Sequence, residues 1–191
     1  MCGQFSIGGL SHSGCVRPRG LDGLTSVFAY QGVMKKAIKK LKYKFISDLA
    51  TDLVELFLSF CGEDKVFSRL VRKKNLFFVP IPLHPARRRW RGFNQAELLG
   101  KMITDNLAIS FLPDLLIRIK KTQPQIGLSK QSRKKNMRGA FVINKNAKRQ
   151  IANAQLILFD DVWTSGATLM EATKVLKNAG SQKVWGLTLA R

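Results

Sequence analysis

Apolar and polar positions alternate along this chain with two different periods. Over 33–45, Met34, Ile38, Leu41 and Phe45 recur at helical spacing, with Lys35, Lys36, Lys39, Lys40, Lys42 and Lys44 covering most of the remaining surface. A second helix is predicted over 48–60, its stripe being Leu49, Leu53, Leu56 and Phe60. The run Leu76-Phe77-Phe78-Val79 is short, wholly apolar and closed by Pro80 and Pro82, the pattern of a buried strand running into a loop. That loop is expected over 81–93. A helix follows from Asn94, where Glu97 three residues on suggests a capping box, with Leu98, Leu99, Met102 and Ile103 inward. Leu115–Ile119 and Ala140–Ile143 are strand candidates, separated by a polar, basic stretch (120–138) that reads as a long loop. Leu156–Phe159 has the character of a central strand. A helix over 169–179 carries Leu169, Ala172, Val175, Leu176 and Ala179 inward and stops at Gly180, and a last strand covers Val184–Ala190.

This succession of strands and helices predicts an α/β fold, a parallel sheet with helices on both faces. Residues 1–27 are Gly- and Ser-rich without apolar periodicity and read as an irregular segment preceding a domain over 28–191. The 191 residues suffice for one domain with a full core. No apolar run approaches the ~20 residues that span a bilayer, and the first residues lack the features of a signal peptide. The expected location is the cytoplasm, with any association with the inner membrane made through partners.

Charge sharpens this picture. Thirty-three basic against 12 acidic residues give +21, an excess that attracts polyanions. Arg118, Lys120, Lys121, Lys130, Arg133, Lys134, Lys135 and Arg138 fall within 118–138 without an acid among them. A second cluster, Arg87, Arg88, Arg89 and Arg91, is interleaved with Trp90 and Phe93, which can stack on bases or enter the core. Single-stranded DNA is therefore a candidate partner for Arg87, Arg88, Arg89, Arg91, Lys130, Arg133, Lys134, Lys135 and Arg138. Of the three cysteines, Cys61 sits in an apolar context and reads as buried. Cys2 and Cys15 form no CxxC pair, and with His12 they make three ligands where a structural zinc usually needs four, so a zinc site is not expected.

The segment from Leu156 to Thr168 carries the chemistry. An apolar strand delivers Asp160 and Asp161 to the C-terminal edge of the sheet, where open α/β sheets bind ligands. Thr164, Ser165, Gly166, Ala167 and Thr168 then lead into a helix, supplying backbone N–H groups, hydroxyls and a helix dipole for a phosphate. Carboxylates accept from sugar hydroxyls but repel phosphate. A sugar phosphate lying along Asp160–Thr168 satisfies both ends.

This stretch resembles the diagnostic motif of the type I phosphoribosyltransferases. The resemblance implies that Asp160 and Asp161 hold the ribose hydroxyls of phosphoribosyl pyrophosphate and that Thr164–Thr168 hold its 5-phosphate. The segments Pro80–His84, Arg91-Gly92-Phe93-Asn94-Gln95, Gln123–Leu128, Arg133, Asn136, Arg138–Phe141 and Leu187–Arg191 are similar to the ComF group of that superfamily, the competence proteins of bacterial natural transformation. The likeness covers about 28–191. It implies a pyrophosphate loop at Leu83, His84, Arg87 and Arg88, Mg²⁺ accompanying the ligand, and a lid at 120–138. It also implies a role in handling incoming single-stranded DNA, alongside other competence proteins. ComF proteins commonly begin with a four-cysteine zinc module, of which 1–27 would be a degenerate remnant, Pro18 standing where a paired cysteine would be. The alternatives left open are an active phosphoribosyltransferase with an unidentified acceptor, for which Asp161 is the default catalytic base, and a sensor that binds the ligand without catalysis.

Overall fold

The strand Gln155–Val162 organises the molecule. In the computed structural model, which describes residues 19–43, 47–123 and 129–191, it lies at the centre of a five-stranded parallel sheet. In chain order the elements are β1 (Gly23–Phe28), α1 (Gly32–Tyr43), α2 (Ser47–Glu63), α3 (Lys65–Val71), β2 (Leu76–Pro80), α4 (Pro85–Arg91), α5 (Gln95–Leu107) and β3 (Ser110–Phe111). There follow β4 (Leu116–Arg118), α6 (Lys130–Met137), β5 (Phe141–Ile143), β6 (Gln155–Val162), α7 (Ala167–Asn178) and β7 (Lys183–Ala190). The sheet order is β1-β7-β6-β2-β3, and β4 and β5 form a separate antiparallel hairpin-like pair. This is the α/β architecture of the type I phosphoribosyltransferase-like fold.

Strand periodicity divides the core. Ile157 and Phe159 pack on one face with Ile38, Leu41, Leu53, Phe57, Leu99 and Ile103 of α1, α2 and α5. Leu156 and Leu158 pack on the other with Leu116, Met137, Phe141, Leu169 and Leu176, from β4, α6, β5 and α7. Burying a side chain such as Phe159 contributes roughly 1.5–3 kcal/mol, and here it also stacks at a tilt on Phe78, ring centroids 5.3 Å apart. Gly100 allows α5 this close to β2, since a Cβ there would stand 2.9 Å from the Phe78 ring.

Four expectations need correction. Residues 23–27 are not irregular: with Phe28 they form β1, which pairs in parallel with β7 from Gly23↔Trp185 to Phe28↔Ala190, its polar Thr25 and Ser26 bonded to Trp185 and Thr188. The predicted loop 81–93 contains α4, because Pro85 pre-sets the first helical turn, His84 caps it and Gly92, at φ 85°, ends it. The predicted loop 120–138 contains α6, capped by Ser129 and anchored by Met137, which is fully buried. In α2 the inward stripe is Ala50, Leu53, Val54, Phe57 and Cys61, whereas Leu56 is 53% exposed. Phe45, Cys2, Cys15, His12 and most of Gln123–Leu128 lie outside the described residues.

Candidate functional site

The strand order reverses direction between β2 and β6. From β2 the chain proceeds to the β3 edge, and from β6 to β7 on the other side, which opens a crevice at the carboxyl ends of the two strands. Both sequence-predicted loops leave the sheet there. Pro80 pairs with Phe159, and the Ile81 N–H donates to the Phe159 carbonyl at 2.8 Å, so the β2 exit lies beside Asp160.

Because Asp160 and Asp161 still belong to β6, the two-residue period sends them to opposite faces. Asp161 is 4% exposed and turns toward α1 and α5. Lys42 Nζ sits 2.7 Å from its Oδ2, and Gln95 Nε2 donates to the same oxygen at 3.4 Å. Burial works against the Lys42 charge, but Asp161 outweighs it and the lysine's pKa ends above its ordinary value. Gln95 in turn accepts from Arg91 at 2.5 Å. A chain of polar contacts thus runs from the arginine-rich helix α4 to the strand-borne carboxylate.

Asp160 turns the other way, toward the β4–β5 pair. Its Oδ1 accepts from the Asp161 N–H at 2.9 Å. Burial, and next the charge of Asp161, push its carboxyl up to about 7, with Lys42 opposing.

Downstream, Gly166 adopts φ 72° and caps α7, and Ser165 Oγ accepts from the Ala167 N–H at 3.4 Å. The Trp163 ring lies against Gly166; a Cβ at that position would fall 2.4 Å from Cζ2. Only glycine fits both the left-handed backbone and the ring. Thr164 is exposed while Ser165 and Thr168 are half-buried, so hydroxyls and the N-terminus of a 12-residue helix converge at the sheet edge.

On the β2 side, Leu83 and His84 are half-buried. The His84 Nδ1 accepts from the Ala86 N–H at 3.2 Å, which gives this histidine a capping role in positioning α4. Arg88 forms a fork with Glu97, at 2.8 and 3.1 Å. Glu97 therefore serves the arginine helix, and the capping of α5 falls to Asn94 alone, whose Oδ1 accepts from the Ala96 N–H at 3.2 Å. The Asn94 Nδ2 donates to the Ile81 carbonyl at 3.0 Å, tying α5 to the β2 exit.

Of the candidate DNA contacts, Arg88, Arg89, Lys134, Lys135 and Arg138 are exposed, whereas Arg87, Arg91 and Arg133 are half-buried; Lys130 opens α6. Trp90 is 72% exposed. Three residues were not assigned to the site from the sequence: Lys42, placed on a basic helix face, Gln95, noted only within a ComF-like segment, and Arg118, counted only in a basic cluster. Two of them had a signal. Lys42 stands four residues after Ile38 on a buried stripe, and Arg118 alternates with the exposed Ile117 and Ile119, on the inward side with Leu116.

Comparison with known proteins adds lineage to this geometry. No family model matches the chain. It is 38% identical over 114 residues to competence protein F of Haemophilus influenzae, a match over 59% of this chain and 49% of that protein. It is 32% identical over 167 residues to competence protein ComFC of Streptococcus pneumoniae, covering 87% of this chain and 67% of the relative. The chain belongs to the ComF family of competence proteins. The Bacillus subtilis ComFC is likewise 32% identical, over 87% of this chain and 63% of its own length. The chain thus spans about half to two thirds of these ComF relatives. Among the described residues, no helix is long and apolar enough to cross a membrane.

Proposed function

We propose that this ComF protein binds phosphoribosyl pyrophosphate with Mg²⁺ at the carboxyl ends of β2 and β6 and handles single-stranded DNA during natural transformation, together with other competence proteins. The observation that carries the reading is the succession, within one strand–loop–helix unit, of Asp160 beside the crevice and of Gly166 at φ 72° opening α7. Ribose hydroxyls meet Asp160, and the 5-phosphate meets the loop Thr164–Thr168. Asp161, held by Lys42 and Gln95, stabilises this edge of the sheet from behind. The pyrophosphate lies toward Leu83, His84, Arg87 and Arg88. Among the described residues no three His, Cys, Asp or Glu side chains gather into a metal cage. The donor set therefore suits Mg²⁺ carried largely by the ligand's own oxygens, with Asp160 as a neighbouring carboxylate. When bound, Mg²⁺ neutralises charge on the pyrophosphate.

The relatives' names support the competence role: ComFC and competence protein F on one hand, and DNA utilization protein YhgH of Escherichia coli, 28% identical over 93% of this chain, on the other. A second reading, an active phosphoribosyltransferase with an unidentified acceptor, is favoured by Asp160. A carboxyl at about 7 is matched to proton transfer near neutral pH, which favours Asp160 over the ion-paired Asp161 as the base.

The test is thermal stability with phosphoribosyl pyrophosphate and Mg²⁺. A ligand at 100 times its dissociation constant adds about 2.7 kcal/mol, a rise of roughly 5–11 °C for a domain of this size. Asp160→Asn combined with Asp161→Asn is expected to remove most of that rise. An undiminished shift in the double variant would place the ligand elsewhere. Pyrophosphate release on screening nitrogen acceptors tests the enzyme reading.

A further inference from the structure

Arg118 ends β4 and is 6% exposed, yet none of the ion pairs among the described residues includes it. Its Nη2 donates to Thr122 Oγ1 at 2.5 Å and approaches Met137 Sδ at 3.6 Å, and the guanidinium lies 5.6 Å from the centroid of the Phe141 ring. Its Nε is buried without a hydrogen-bond partner. An unpaired buried charge is costly, and a buried N–H without an acceptor adds to that cost.

The surroundings show what completes it. Burial first, and then the charge of Arg87, bring the Arg118 pKa down to about 10, while Asp160 pulls it up. At that value the group is a cation at neutral pH. Arg87 of α4 and Asp160 of β6 thus act electrostatically on Arg118 of β4 with opposite signs. A buried guanidinium with an unsatisfied N–H and no ion-pair partner is stabilised by an oxyanion, which its planar fork can grip with two parallel bonds.

We infer that Arg118 anchors an oxyanion subsite on the β4–β5 side of Asp160, separate from the phosphate cradle at Thr164–Thr168 and filled by a second negatively charged group of the substrates. This deepens the phosphoribosyl reading and rests on it for the identity of the sugar. The group is either the pyrophosphate of the donor or a carboxylate on the acceptor; the chemistry of recognition is the same.

The experiment is calorimetry on the full chain with Mg²⁺, using inorganic pyrophosphate, ribose 5-phosphate, and benzoate against benzamide in the presence of phosphoribosyl pyrophosphate. In Arg118→Gln, binding of the oxyanion is expected to fall about tenfold or more, as expected when a charge-assisted hydrogen bond is removed. Ribose 5-phosphate binding is expected to stay within a factor of two. Arg118→Lys, which keeps the charge without the fork, should fall between. A loss confined to pyrophosphate assigns the subsite to the leaving group; a loss confined to benzoate, with benzamide unbound, assigns it to the acceptor. If pyrophosphate and benzoate bind the variant as they bind the wild type, or bind neither, the subsite is wrong. Should Arg118→Gln fail to fold, Arg118→Lys, which keeps the buried cation and removes the fork, carries the same comparison. Failure of ribose 5-phosphate to bind the wild type would instead sink the phosphoribosyl reading, and the pyrophosphate arm would still judge Arg118.

Discussion

At the scale of single residues, Asp160 shows how a site strains the fold that holds it. Its folded pKa of about 7 lies above the ~3.9 of an unfolded aspartate. Folding therefore takes up a proton between those values. The stabilising contribution of this group is complete below about pH 4, falls as pH rises, and is gone above about 7. Asp160→Asn, neutral at every pH, is expected to melt higher than wild type at pH 8 without ligand and to show a shallower decline from pH 5 to 8. Melting curves of both proteins across that range check this, and a parallel pH dependence would refute it. The same variant should lose ligand response, the exchange of stability for function that desolvated site carboxylates impose.

Elements act here as braces. Asn94 does two things with one side chain: it caps α5 through Ala96 and holds the Ile81 carbonyl at the β2 exit. Loss of a cap costs about 1 kcal/mol, and a buried hydrogen bond about as much again. Asn94→Ala is expected to lower the melting temperature by roughly 4–8 °C and to weaken phosphoribosyl pyrophosphate binding, because the exit of β2 is then held to β6 without its link to α5. Asn94→Asp keeps the acceptor for Ala96 and loses the donor for Ile81. It should recover about half of the stability but less of the binding, as read by melting curves and titration together. The short helices α4 and α6 belong to the same scale. Local polarity concealed them because their residues are basic and face outward, while single features (His84 and Gly92 for α4, Met137 for α6) fix them to the rest.

For the whole molecule, the +21 charge includes three basic helices. Exposed Lys35, Lys36, Lys39 and Lys40 lie on α1, against one face of the sheet; α6 lies against the other; α4 stands at the edge between them. A DNA track joining them must wrap around the carboxyl edge of the sheet. The arginines of α4 are divided in use, since Arg88 is engaged by Glu97, Arg91 by Gln95, and the charge of Arg87 acts on Arg118. Arg89, Lys134 and Lys135 face solvent instead. Changing these three to Ala is expected to weaken single-stranded DNA of any sequence and to make the slope of log K against log salt shallower by about 0.7 for each phosphate no longer neutralised. The phosphoribosyl pyrophosphate response should stay intact. Changing Arg87 and Arg91 should lower both. Fluorescence titrations at several salt concentrations decide this, and a wild-type protein without salt-sensitive affinity for single strands would end the proposal of direct DNA handling.

The sequence by itself determined the fold class, the central strand, the carboxylate pair and the glycine-bearing loop, because each is local. Apolar runs, two-residue alternation and the backbone freedom of Gly166 act over a few neighbours. Tertiary structure decided the rest. Strand pairing extended β6 through Asp160 and Asp161 and so separated two adjacent acids onto opposite faces. Packing of α1 and α5 gave Asp161 its partners, Lys42 and Gln95, 119 and 66 positions away in the chain. Closure of β4 on β5 buried Arg118 where Arg87 and Asp160 act on it. Charges interact through space at distances of a few ångströms, and no periodicity along the chain encodes which distant residues will meet at that range.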